Sequence, residues 1–288
     1  MKPLKIKIQT ECKQKSVPQH VVEKDYALSY ILAGIAKQDL LSTTLIFKGG
    51  TALKKIFFGD YRFSEDLDFS VSNAPKNEML EKELLKAMNI SKELLNQYGA
   101  FDVQLKRNPE NAPHPQGQEA FIVQVKFPWH PISHCRIKIE ITHDEPVILM
   151  PQYKSILHGY DEIIDCQVAS YHIEEVVAEK MRALLQTHQK LVERGWNRPR
   201  ARDYYDLWRI LKNYGNILDL KRLRNTLDKK CKHRNVFYKL IEDFFTNELV
   251  KEARQHWQST LGVFVKDLPE CDFILEESKL FISKILFD

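Results

Sequence analysis

Residues 45–70 read LIFKGGTALKKIFFGDYRFSEDLDFS, and the order of residue types in that stretch decides the fold. A short apolar run is followed by Gly49, Gly50 and Thr51, then a helix-forming stretch, a polar loop and a second strand-like run carrying Asp66 and Asp68. Side chains alternate across a strand with a period of two, so Asp66 and Asp68 project from one face. Two carboxylates placed there repel each other unless a cation sits between them. A divalent metal meets that need.

The turn before the carboxylates suits a phosphate. Gly49 and Gly50 let the backbone approach an anion closely, Thr51 offers a hydroxyl, and a helix beginning near Ala52 presents free N–H groups and the positive end of its dipole. Mg²⁺, or Mn²⁺ in its place, takes carboxylate and phosphate oxygens and keeps several waters, so Asp66 and Asp68 are expected to hold it against the triphosphate of an NTP. The turn is not a P-loop, because GxxxxGK[ST] is missing and Lys54 and Lys55 fall inside the helix. Each part alone has a plainer reading, a tight turn for Gly-Gly and a solvated face for Asp-x-Asp. Their order, with Arg62 and Ser64 in RFSEDLD, favours chemistry.

KGGTAL followed by RFSEDLD resembles the first motif of the DNA-polymerase-β-like nucleotidyltransferase superfamily, and in detail is similar to the AbiEii/AbiGii toxin family. VVEKDYALSYIL (21–32) resembles the helix that precedes the glycine motif there. AEKMRALLQ (178–186) and RARDYYDLW (200–208) resemble its later lysine and Arg-Asp-x-x-Asp motifs. The resemblance implies an α+β fold, a polymerase-β-like mixed sheet with flanking helices followed by a helical C-terminal domain. It implies a metal-dependent enzyme moving a nucleotide from an NTP to an acceptor, as the toxin of a bacterial toxin–antitoxin or abortive-infection pair. The expected acceptor is tRNA or alternatively a protein side chain, and the expected protein partner is a cognate antitoxin. Lys180 matches the family's lysine and is expected to reach the phosphates. Asp206 or Asp203 is expected to line the nucleotide site or to orient Lys180, and sequence does not choose between them. Thr51 stands where serine is commoner, and Glu140 where aspartate is.

Cys135–Thr142, CRIKIEIT, puts Ile137, Ile139 and Ile141 on one face and Arg136, Lys138, Glu140 and Thr142 on the other. If this run lies beside the Asp66–Asp68 strand, Glu140 becomes the third acid, and the resemblance implies for it a metal-holding and catalytic part. Lys48, Arg62, Ser64, Lys138, Arg202 and Asp203 complete the candidate nucleotide-binding set with the glycines, Thr51 and Lys180. Arg202 and Asp206 lie four apart, and the plain reading of that spacing is an intrahelical ion pair worth only ~0.3–0.5 kcal/mol when exposed.

Apolar spacing predicts a helix over 20–38, and composition predicts another over 76–97. Strands are expected at 44–48, 101–106, 120–127 and 135–142, with an exposed Pro-rich loop over 108–115. Beyond Cys166 helices are expected at 172–188, 200–213, 219–230, 235–258 and 274–286. The expected domains are 1–165, catalytic, and 166–288, helical and contributing the lysine and aspartate.

Composition is that of an ordinary globular chain, with 43% hydrophobic and 28% charged residues in 288, and it names no function. No apolar run is long enough to span a bilayer, and MKPLKIKIQTECKQK lacks the apolar core of a secretory signal, so a cytoplasmic protein is expected. Cys12, Cys135, Cys166, Cys231 and Cys271 are odd in number and scattered, which disfavours disulfides and zinc. His143, Asp144 and Glu145 read more simply as a polar turn than as an ion site. Residues 180–234 hold 16 Lys and Arg against 5 Asp and Glu. Such clustering suggests a polyanion partner, with a solvated face or an antitoxin-binding surface as the plainer alternatives. Trp196, Tyr204, Tyr205 and Trp208 lie in that segment, although Tyr204 and Trp208 at helical spacing are expected in the core. A metal-dependent nuclease using Asp66, Asp68, Glu140 and Asp206 would leave the Gly-Gly-Thr turn without a purpose. A silent RNA- or protein-binding module would leave the acids without one.

Overall fold

A computed structural model describes residues 3–108, 117–195 and 198–287, so Trp196 and residues 109–115 of the expected Pro-rich loop lie outside the described residues. The chain divides into two compact units, Met1–Tyr171 and His172–Asp288.

The first unit opens with α1 (Leu4–Lys15), α2 (Gln19–Lys37) and α3 (Asp39–Thr44), followed by β1 (Leu45–Lys48). The helical turn α4 (Gly49–Ala52) continues as a π-helical turn over Leu53–Phe57 and leads to β2 (Asp66–Val71). Then come α5 (Asn77–Asn96), β3 (Asp102–Arg107), β4 (Gln118–Lys126), β5 (Cys135–Thr142), β6 (Gln152–Ser155) and β7 (Gln167–Ser170). The seven strands form one mixed sheet in the order β3-β4-β5-β2-β1-β7-β6. β1 runs antiparallel to β2 and parallel to β7, while β2 and β5 are parallel. Leu67, Phe69, Ile137, Ile139 and Ile141 are all buried, and α2 and α5 pack together and on the sheet. Gly34 lets α2 and α5 approach closely: a Cβ there would collide with Ser91 Oγ and the Ala87 carbonyl.

β7 explains why the first unit ends six residues beyond the expected boundary at 165. Four residues with little alternation give no strand signal of their own, yet Phe47 and Ser170 are register partners and the Tyr171 N–H donates to the Phe47 carbonyl. The strand therefore belongs to the sheet.

The second unit is helical: α6 (Ile173–Arg194), α7 (Ala201–Tyr214), α8 (Leu220–His233), α9 (Asn247–Leu261) and α10 (Cys271–Leu286). The single helix expected over 235–258 is replaced by a break. Asn235 adopts φ 54°, Ile241–Phe244 is a short 3₁₀ turn, and α9 starts where the Thr246 hydroxyl caps the Leu249 N–H. A capping threonine and a left-handed asparagine outweigh the apolar spacing that runs across them. Tyr204 and Tyr205 are buried core residues, and Trp208 donates from Nε1 to Glu277 at 2.7 Å. All five cysteines are free.

Candidate active site

The register of the central strands builds the site. Lys48 on β1 is the partner of Asp68 on β2, and Asp68 is in turn the partner of Glu140 on β5. One step along, Asp66 is the partner of Lys138. Residues opposite one another in adjacent strands share a face and lie ~4.8 Å apart in the pairing direction. Lys48, Asp68 and Glu140 thus form a row across three strands, and the alternation of half-buried Asp66 and Asp68 with buried Leu67 and Phe69 sets the acids on the face opposite the core. Glu140 takes an ion pair from Lys138 on its own strand.

Among the described residues no three His, Cys, Asp or Glu side chains gather as a metal-holding group. Asp66, Asp68 and Glu140 therefore do not form a closed cage.

The glycine turn lies directly against these acids. Gly49 has φ 80°, and a Cβ on it would collide with Asp68 Oδ2. A Cβ on Gly50 would come within 2.9 Å of Arg62 Nη2 and 3.4 Å of Ser64 Oγ, so Arg62 and Ser64 border the turn. Arg62 is buried and donates from Nη1 to the Phe63 carbonyl at 3.2 Å. Thr51 departs from its expected part: it is buried, and its hydroxyl donates to the Asp66 carbonyl, tying the turn to the acid strand. Lys48 is buried, with its ammonium 5.8 Å from the Tyr171 ring centre, and the Tyr171 hydroxyl lies 2.6 Å from Ser70 Oγ.

Lys54 and Lys55, inside the helical turn as expected, are both buried. Lys54 donates to the carbonyls of Gly59 and Tyr61, each at 3.3 Å. Lys55 Nζ is 2.8 Å from Asp25 Oδ1 of α2, and both side chains are almost fully enclosed. Burial pulls the Lys55 ammonium down to about 8, with Asp25 working in the other direction. The sequence reading missed this pair. Its signal was the Glu-Lys-Asp-Tyr run in α2, which the other members of the run also explain: Glu23 accepts from Trp129 Nε1 at 2.8 Å and Lys24 pairs with Glu65 at 2.6 Å.

In the second unit, Lys180 on α6 lies 2.8 Å from both Asp203 Oδ1 and Asp206 Oδ2 on α7. Both aspartates hold the same ammonium, so either is placed to orient Lys180. Asp206 is fully buried. Burial alone would raise the Asp203 carboxyl, but Lys180, Arg200 and Arg198 outweigh it and hold it well below the usual carboxylate range. Arg200, absent from the expected set, pairs with Asp203 at 3.3 Å and donates from Nε to Thr187 Oγ1 at 2.7 Å. Arg202 donates to the Thr260 carbonyl at 3.1 Å and lies over the Phe264 ring.

The family model described as nucleotidyl transferase AbiEii toxin, type IV TA system, matches residues 30–277. The chain belongs to the AbiEii family. It is thus a nucleotidyltransferase toxin of a type IV toxin–antitoxin system, and membership brings with it an NTP substrate and an antitoxin partner. Among solved structures, MenT4, a nucleotidyltransferase toxin from Mycobacterium tuberculosis H37Rv, is similar with a TM-score of 0.60 and 19% identity, over 93% of this chain and 84% of that one. At that identity the likeness speaks for the fold, a nucleotidyltransferase α+β fold as the motifs implied. No curated protein matches the sequence. None of the described helices of this AbiEii chain is long and apolar enough to cross a membrane.

Proposed function

We propose that this AbiEii toxin transfers a nucleotide from an NTP to an RNA acceptor, tRNA foremost, with Mg²⁺ or Mn²⁺ held by Asp66 and Asp68. The observation that carries the reading is the register that sets Asp68 beside Glu140 on the same face as Asp66, with Gly49 against Asp68 and no room for a side chain between them. A metal bound there supplies positive charge to phosphate oxygens. The chain's own groups do the rest.

Gly49 and Gly50 admit the triphosphate close to the backbone, and Arg62 and Ser64 border it. Glu140, released from Lys138 when Lys138 turns to a phosphate, accepts the proton of the attacking hydroxyl. In the second unit Lys180, oriented by Asp203 and Asp206, is the cation that the family motif gives to phosphate charge. Transfer of this kind is carried by positioning and by positive charge at the phosphate oxygens. The acceptor is assigned to RNA on the 16 cations of residues 180–234. Several of them serve the fold instead: Lys230 is buried between Glu175 and Glu179, and Lys212 pairs with Glu277.

The test is to incubate the protein with Mg²⁺, total bacterial tRNA and each α-³²P-labelled NTP in turn, beside Asp66→Ala, and resolve the products on a denaturing gel. Label on tRNA with the wild type alone is the expected result. Label on protein moves the acceptor to a polypeptide, and shortened RNA without label overturns transfer in favour of a nuclease.

A further inference from the structure

Helix α10 packs on α7 and α9 through a buried side that includes Ile274, Ile282 and Ile285. Its other side is patterned too. Phe273, Leu280 and Phe287, the last at the C-terminal cap, are 46%, 63% and 42% exposed. Single exposed apolar residues are ordinary on a protein surface, but these three recur every seven residues. At 3.6 residues per turn that interval keeps them within about 40° of one another around the helix, over a length of ~21 Å. They form a stripe.

Charge follows the same stripe. Glu276 and Lys284 are exposed and stand four residues to either side of Leu280, as Phe273 and Phe287 stand seven to either side. The order Phe, Glu, Leu, Lys, Phe therefore reads alike in both directions, except that the charge changes sign. Neighbouring charges of α10 are engaged within the fold: Glu277 with Trp208 and Lys212, Lys279 with Glu242, and Asp272 with Arg254. Glu276 and Lys284 form no ion pair among the described residues. A stripe of this kind is complementary to itself. In two antiparallel copies related by a two-fold axis at Leu280, each Phe273 meets Phe287 of the other copy, Leu280 meets Leu280, and each Glu276 meets a Lys284. Parallel copies would set Glu276 on Glu276 and Lys284 on Lys284, so charge selects the antiparallel pair.

We infer that this face of α10, formed by Phe273, Glu276, Leu280, Lys284 and Phe287, docks on the same face of a second copy of the chain, antiparallel about Leu280. The placement of opposite charges at equal distances from one central residue is what a two-fold axis demands, and a different protein would have no use for it. A lipid surface would call for basic residues flanking the apolar stripe, whereas here one acid balances one base. A single pair of helices ~21 Å long buries less than the roughly 1,600 Å² of a standard interface, so association in the micromolar range is expected. The face holds none of the residues assigned to the NTP, and the inference stands apart from the chemistry proposed above.

The test is sedimentation equilibrium of the full-length protein from roughly 1 µM to several hundred µM, for the wild type, Glu276→Lys, Lys284→Glu, the double exchange Glu276→Lys/Lys284→Glu, and Leu280→Glu. All three positions are exposed, so the fold is expected to stand, and melting curves at the lowest concentration check that. The wild type is expected to rise toward twice the monomer mass. Each single charge reversal sets like charges against each other at both ends of the interface and is expected to weaken the dimer by at least about tenfold. The double exchange restores both pairs and should return the dissociation constant to within about threefold of the wild type, while Leu280→Glu should remain a monomer throughout. A wild type that stays monomeric across the series overturns the inference. Dimers that the single reversals leave intact place the contact elsewhere and overturn it as well. Single reversals that weaken the dimer without rescue by the double exchange overturn the antiparallel pairing about Leu280.

Discussion

Asp68 is hemmed in on three sides, by Lys48 across one strand pair, by Glu140 across another, and by Gly49 so near that no Cβ fits between them. Asp66 and Asp68 are half-buried and on the face away from the core, so removing either carboxylate takes charge from the site without opening a cavity. Asp66→Ala and Asp68→Ala are each expected to reduce nucleotide transfer to background with melting temperature unchanged within a degree or two; wild-type rates from both would sink the metal assignment. Lys55 and Asp25 present the opposite case, a charge pair sealed in the interior, where desolvation is costly. Lys55 has a folded value of about 8 against 10.5 when unperturbed. Between those two values the unfolded chain binds more protons than the folded one, so this group's contribution to stability rises with pH across that window, and below about 8 its cost is fully present. Asp25→Asn/Lys55→Met is therefore expected to gain most over the wild type near pH 7 and to lose that advantage as pH approaches 10, in urea unfolding at a series of pH values. A difference that does not move with pH would mean that Lys55 titrates normally.

At the level of elements, the turn at Gly49 and Gly50 offers two substitutions one residue apart with opposite expected outcomes. Gly49 has φ 80° and would aim a Cβ at Asp68, whereas a Cβ on Gly50, which has no left-handed backbone, would meet the end of the Arg62 side chain at 2.9 Å and Ser64 Oγ at 3.4 Å. Gly49→Ala should cost about 1–2 kcal/mol from the left-handed backbone alone, displace Asp68 and abolish transfer. Gly50→Ala should melt near the wild type and keep part of its activity, since Arg62 can shift by a few tenths of an ångström. Equal effects from the two, in melting and labelling assays, would mean that the turn does not depend on Gly49. What made this region legible is the density of constrained residue types: a glycine pair, an alternating Asp-x-Asp and the isoleucine alternation of β5 each admit few conformations. The register of Asp68 with Glu140 followed from a conditional that sequence raised and only strand pairing could answer. Elements without such constraints were lost. α1 mixes lysines and isoleucines with only Leu4 and Ile8 buried, and β6 and β7 are four residues each and stabilised by their neighbours in the sheet. The hydroxyl of Thr51 was assigned to phosphate because sequence shows a donor and not the carbonyl beside it.

Across the whole molecule the charge separates by unit. His172–Asp288 holds 22 Lys and Arg against 18 Asp and Glu, so the net +4 of the chain falls there and Met1–Tyr171 is neutral. Each unit carries part of the proposed chemistry, the acids and the glycine turn in the first and Lys180 with its two aspartates in the second. Lys180→Ala by itself is an ambiguous test of that division, because it strips the cation from Asp206, which is wholly buried. Breaking a buried pair from one side costs about 3–5 kcal/mol, mostly from the charge left behind. Loss of activity could then be loss of fold. Pairing the change with Asp206→Asn removes the stranded charge, while Arg200 continues to balance Asp203. Lys180→Ala is expected to melt well below the wild type, and Lys180→Ala/Asp206→Asn to recover most of that loss yet remain at least a hundredfold slower in nucleotide transfer, with Mg²⁺ binding to the first unit unchanged. Recovery of activity along with stability would make Lys180 a strut between α6 and α7. Failure of activity to return would separate its charge, acting on the phosphates, from the pair that holds it in place.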